Sequence, residues 1–149
     1  MPNWAEGTIK LRGRAENIAS ALKHMLVDET VTVEEEYDGE LLKLNTTQSY
    51  FYIKGTRRAF IESNSLELWL DDDFLIVELG NFKQAWAAIP DNYQDISKQF
   101  DVDIKIFTFE QGYEFTQEIE ISKGNIIKDI VNEKFDNYQW DVPFSKLGG

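Results

Sequence analysis

An α+β domain, built on a mainly antiparallel sheet with two helices packed on one face, is the architecture this sequence predicts. Three observations point to it. Short segments of alternating polar and apolar residues recur along the chain, each bounded by glycine or by Asn, Asp and Ser turn signals. Two segments, Ala15 to Val27 and Pro90 to Gln99, instead space their apolar residues for a helix. The first of these follows a strand directly, with only Gly13-Arg14 between them. At 149 residues, 42% apolar and 13% aromatic, the chain has enough material for one core, so a single domain over 1–149 is expected.

Thr8 to Arg12 alternate between Gly7 and Gly13 as a strand, and Trp4 ahead of them is expected to plug the end of the sheet. In the helix that follows, Ile18, Ala19, Leu22, Met25 and Leu26 form one apolar face, with Lys23 and His24 in the last turn, where the helix dipole favours positive charge. An acidic excursion at about 28–49 comes next; Asp28 to Asn45 holds seven carboxylates against Lys43 alone. Thr30 to Val33 and Glu40 to Leu44 read as short strands, with Asp38-Gly39 as a hairpin turn. Ser49 to Lys54, Ala59 to Glu62 and Leu66 to Leu70 read as further extended segments. Asp71-Asp72-Asp73 has the composition of a solvated hairpin tip, and Phe74 to Leu79 that of a central strand covered on both faces.

Asn81 to Ile89 fits both periods, and Pro90 opens the second helix. Val102 to Phe109 and Tyr113 to Ser122 are strands joined at Gln111-Gly112. After the Lys123-Gly124-Asn125 turn, Ile126 to Val131 returns as a strand, with a short helix as the competing reading. Phe135, Tyr138, Trp140 and Phe144 make the tail aromatic enough to dock on the domain.

Composition excludes more chemistry than it suggests. Lys and Arg number 15 against 27 Asp and Glu, and a net charge of -12 repels phosphate backbones and anionic lipid, so general nucleic-acid binding is not expected. The absence of cysteine removes disulfides, thiolate metal sites and cysteine nucleophiles. The single histidine, His24, has no serine or carboxylate pattern beside it for a catalytic triad, and the nine glycines are too scattered for a phosphate-binding loop. Consecutive acids on an extended chain point in different directions, which argues against a metal at Asp71 to Asp73. No catalytic residue, metal or cofactor is expected. No apolar run approaches the ~20 residues of a membrane span, so the expected setting is the cytoplasm, with no membrane partner.

The opening Pro2-Asn3-Trp4 with its strand and helix, the block Phe82 to Pro90 with Ala85-Trp86, and Ile96, Ser97, Phe100 and Gln111-Gly112-Tyr113-Glu114-Phe115 occur in an ordered set. This set resembles the ferredoxin-like YubB family of phage and plasmid proteins. Ala5 stands where that family often has cysteine, and residues 28–49 have no counterpart in it. The resemblance implies a ferredoxin-like split βαβ sheet with two helices, and it brings no catalytic motif.

The expected function is a non-catalytic interaction protein of a mobile genetic element that binds a host protein through Glu34, Glu35, Glu36 and Asp38. One form is an anti-defence protein whose acids imitate a nucleic-acid backbone in a basic groove. The alternative is a binder of single-stranded nucleic acid or nucleotides. Lys10, Arg12 and Arg14 share one strand face, and Tyr50 and Tyr52 lie on an expected neighbouring strand; Arg57 and Arg58 join them if the strand order allows.

Overall fold

The computed structural model describes residues 2–149. In chain order its elements are β1 (Trp4–Arg14), α1 (Ala15–Leu26), β2 (Val31–Glu36), β3 (Leu41–Thr46), β4 (Phe51–Tyr52), β5 (Ala59–Ile61), β6 (Ser65–Trp69), β7 (Phe74–Ala85), α2 (Asp91–Phe100), β8 (Asp103–Glu110), β9 (Phe115–Ser122), β10 (Asn125–Asn132) and α3 (Tyr138–Asp141). They form a seven-stranded sheet of order β10-β9-β8-β1-β7-β5-β4 and a separate three-stranded sheet of order β2-β3-β6. Every strand pairing is antiparallel.

This corrects the expected two-helix ferredoxin-like fold. Strand outweighs helix, 47% against 18%, the strands divide between two sheets, and a third short helix lies in the tail. The physical reason is that alternation identifies a strand and its two faces but says nothing about its neighbour. The Asp71-Asp72-Asp73 segment shows the consequence. It joins two strands that do not pair, because β6 lies in the small sheet and β7 in the large one.

β1 is the centre of the large sheet, paired with β7 on one side and β8 on the other. Its inward residues Ala5, Ile9 and Leu11 are buried with Ile104, Ile106, Ile119 and Ile121 of β8 and β9. Onto that face pack Ile18, Leu22 and Met25 of α1 and Tyr93 and Ile96 of α2, and each such side chain contributes about 1.5–3 kcal/mol by leaving water. Gly7 is required by a close approach: a Cβ there would lie 1.9 Å from the Phe107 carbonyl oxygen. Leu42 and Leu44 of the small sheet belong to the same buried cluster.

The opposite face of the large sheet is only partly covered. Phe74 and Ile76 of β7 are 59% and 60% exposed, so β7 is buried on one face and not on both. The tail crosses this side, where Phe109, Tyr138 and Val142 form a second small cluster with Phe107 and Phe135. Its end pairs with the start of β1 through Gly149 N–H to the Trp4 carbonyl, 2.9 Å, and Trp4 N–H to the Gly149 carbonyl, 3.3 Å. Trp140 does not dock; it is 87% exposed.

Candidate functional site

Two surfaces concentrate exposed chemistry, and the register of the strands decides which residues belong to each. The first is the small sheet. Its hairpin turns through left-handed backbone at Tyr37, Asp38 and Gly39, the residues that the Asp-Gly signal marks. Side chains directly opposite in an antiparallel pair share a face. Glu34 of β2, Lys43 of β3 and Glu67 of β6 therefore lie in one row across the sheet, and Glu36, Leu41 and Trp69 in the next row on the same side.

Glu35 belongs to the other side. It lies in the row of Leu42 and Leu68, and its carboxylate pairs with Lys23 of α1. The three consecutive glutamates expected to act together are thus split: Glu34 and Glu36 face outward, and Glu35 fastens the small sheet to the helix. Lys43 is held between Glu36 at 3.2 Å and Glu67 at 3.9 Å, and its hydrogen bond to Glu36 raises its pKa. Asp38 and Glu40 add two exposed carboxylates at the turn. Beside them the rings of Tyr37 and Trp69 lie 5.5 Å apart, with Trp69 52% exposed.

The second surface is the outward face of the large sheet, where the expected basic row divides into two environments. Lys10, Arg12 and Arg14 do project to one side of β1, but they are interlaced with acids. Arg12 donates two hydrogen bonds to Asp103 Oδ2, at 3.0 and 2.8 Å, while Ser122 donates to Oδ1 of the same carboxylate. Lys10 lies opposite Glu78 and Lys105, and Arg14 is 3.8 Å from Glu16. Farther out, Lys105 and Lys128 both pair with Glu118, at 3.2 and 3.3 Å. Partial burial pushes the Glu118 pKa up, but these two ammonium groups outweigh it and hold the carboxyl below its usual range.

Tyr50 and Tyr52 do not join this row. β5 pairs with β7 at Ala59 to Ile61, which sets β4 and β5 beside the start of β1, eight residues or about 27 Å from Arg12. There both tyrosines pack on Phe60, with ring centroids at 5.1 and 5.7 Å, and Phe60 packs on Trp4 at 5.9 Å. Lys83 and Arg58 stand over the Trp4 ring at 4.6 and 5.4 Å from its centroid. Trp4 is therefore not a plug at the end of the sheet, but the centre of an outward aromatic and cationic group. Tyr50 and Tyr52 were expected beside the basic row of β1, and β4 instead lies three strands from β1; Phe60 and Lys83 carried no signal, because their proximity to Trp4 comes from strand pairing.

His24 is exposed in the last turn of α1, with its ring 5.1 Å from that of Phe100. Asp71, Asp72 and Asp73 are all exposed, and no group of three or more His, Cys, Asp or Glu side chains suited to a metal occurs among the described residues. No helix among them is long and apolar enough to cross a membrane. No family model, curated protein or solved structure matches the chain, and the resemblance to the YubB family rests on the residues quoted for it alone.

Proposed function

We propose that this protein is a non-catalytic interaction protein whose small sheet engages a basic surface of another protein. The observation that carries this reading is the outward row pair on β2, β3 and β6. Glu34, Glu36 and Glu67 surround Lys43, and the exposed Tyr37–Trp69 pair adjoins them. Carboxylates of this kind steer a cationic partner and set its register, while exposed aromatic rings supply contact area and receive cations on their faces. A host protein with an Arg- and Lys-lined groove is the partner class, and an anti-defence role is the form this takes if that groove otherwise holds nucleic acid.

Titration of an Arg- and Lys-rich peptide by calorimetry at low and high salt tests the reading. Salt-sensitive binding is expected. The double change Glu34→Lys and Glu36→Lys should weaken it by about tenfold or more at low salt, since each step of that size is about 1.4 kcal/mol. Trp69→Ala should weaken it at both salt concentrations. Unchanged affinity in the double variant would exclude the small sheet as the contact.

A further inference from the structure

We propose that the cleft between Trp4 and Tyr50 binds a nucleotide, with the base against the aromatic rings and the phosphate on Arg58. The cleft has a volume of about 250 Å³ and is lined by Trp4, Tyr50, Arg58, Phe60, Glu62 and Lys83. Its rings are fixed against one another edge to face: Tyr50 on Phe60 at 81° and Phe60 on Trp4 at 65°. Such a platform accepts a planar base without distinguishing among bases.

The charge of the site is what selects an anion. Lys83 is taken by Glu62, but Arg58 forms no ion pair among the described residues. Residues 49–61 hold Lys54, Arg57 and Arg58 and no acid, in a chain whose net charge is -12. A guanidinium is planar and matches two phosphate oxygens at once, so an arginine that lies against the Trp4 ring without an ion-pair partner suits a phosphorylated heterocycle better than a neutral one.

The turn that presents Arg58 is held by hydrogen bonds on both sides. Arg58 sits in left-handed backbone at φ 57°, a conformation that an arginine keeps only when its surroundings enforce it. Its carbonyl accepts from Ala85 N–H at 3.1 Å, the Arg57 carbonyl accepts from Gln84 Nε2 at 3.2 Å, and Arg57 N–H donates to Asn92 Oδ1 at 3.3 Å. The Thr56 hydroxyl donates to the Ile53 carbonyl, and the Tyr52 hydroxyl to the Thr56 carbonyl. The cleft lies on the large sheet, apart from the acidic rows of the small sheet, so neither reading depends on the other.

Calorimetric titration in low-salt buffer tests the site with four probes: adenosine monophosphate, a 5′-phosphorylated tetradeoxyadenylate, adenosine and inorganic phosphate. Saturable binding of the monophosphate is expected, with adenosine and phosphate each at least about tenfold weaker. Binding of the tetranucleotide alone also supports the site and identifies the end of a strand as its source. Arg58→Gln and Tyr50→Leu, both at exposed positions, should each weaken binding by about tenfold, whereas Arg12→Gln at the far end of β1 should leave it unchanged. The proposal is overturned if neither phosphorylated probe saturates up to about 10 mM. It is equally overturned if Arg12→Gln weakens binding as much as Arg58→Gln does.

Discussion

Gln84 is the buried group on which both the core and the Arg57–Arg58 turn depend, and its replacement by methionine gives a sharp test of the packing described above. The side chain is fully buried in β7. Its Nε2 donates to the Arg57 carbonyl at 3.2 Å and to Asn92 Oδ1 at 2.9 Å, while its Oε1 accepts from the Tyr93 hydroxyl at 3.0 Å and from Ile89 N–H at 3.3 Å. Methionine keeps the volume and removes all four bonds. Arg57 and Asn92 are near enough to solvent to recover water, but the Tyr93 hydroxyl is not, since Tyr93 is fully buried and its burial pushes the phenol pKa far above the usual range. An orphaned buried donor costs about 1–3 kcal/mol, and the half-covered Ile89 N–H adds a smaller amount, so Gln84→Met should destabilise by about 2–4 kcal/mol. In urea unfolding followed by tryptophan fluorescence this is a lower midpoint at unchanged slope. Tyr93→Phe alone should cost about 1 kcal/mol, and the double variant less than the sum, because removing both partners leaves no orphaned phenol hydroxyl. A loss below about 0.5 kcal/mol for Gln84→Met, or strict additivity in the double variant, would mean that the Tyr93 hydroxyl does not depend on Gln84.

Three further outcomes follow from single contacts. Gly7→Ala should destabilise by about 3 kcal/mol or more, or prevent folding, because the new methyl meets the Phe107 carbonyl oxygen at 1.9 Å and both belong to paired strands; a melting temperature like the parent's would show that the strands can part there. Glu35→Gln should cost no more than about 1 kcal/mol, its pair with Lys23 being half-exposed, and should leave cationic-peptide affinity unchanged while Glu34→Gln lowers it; equal effects on affinity would mean that β2 does not separate the two carboxylates as its register indicates. Glu118 has a folded pKa held below its ordinary value by Lys105 and Lys128, so its contribution is complete above the unfolded pKa and is lost as pH falls through the folded one. Glu118→Gln should therefore lower stability at neutral pH by up to about 1 kcal/mol and change little in acid, where the parent's carboxyl is protonated too, so the acid limb becomes flatter, as read from urea midpoints across pH.

How much of this was legible in the sequence depends on the range over which each property is set. The hairpin of β2 and β3 was legible because its determinants are local: alternation on either side of Asp38-Gly39. The helices were legible for the same reason, since Ile18, Leu22 and Met25, like Tyr93 and Ile96, mark a face within one segment. The sheet to which the hairpin belongs was not legible, because nothing local to β2, β3 and β6 says which strands they pair with. β7 was misread in a related way: Phe74 and Ile76 are apolar and exposed, so a continuous apolar run established composition without establishing cover.

The same limit separates the basic residues that matter from those that do not. Lys10, Arg12 and Arg14 formed the most regular basic pattern in the chain, and regularity made them the obvious candidates. Yet a charge on a sheet surface is defined by the residues opposite it. Arg12 has Asp103 and Lys105 has Glu118, whereas Arg58, irregularly placed in a turn, has Trp4 beneath it and no ion pair among the described residues. On the acidic side, Glu34 and Glu35 are adjacent and chemically identical, yet one meets solvent and the other meets Lys23. In a sheet-rich protein, the binding chemistry of a side chain is thus set less by its own pattern than by whether its cross-strand neighbours leave it unsatisfied, and on that criterion the Trp4–Arg58 cleft and the outward rows of the small sheet are where this chain has interactions left to make.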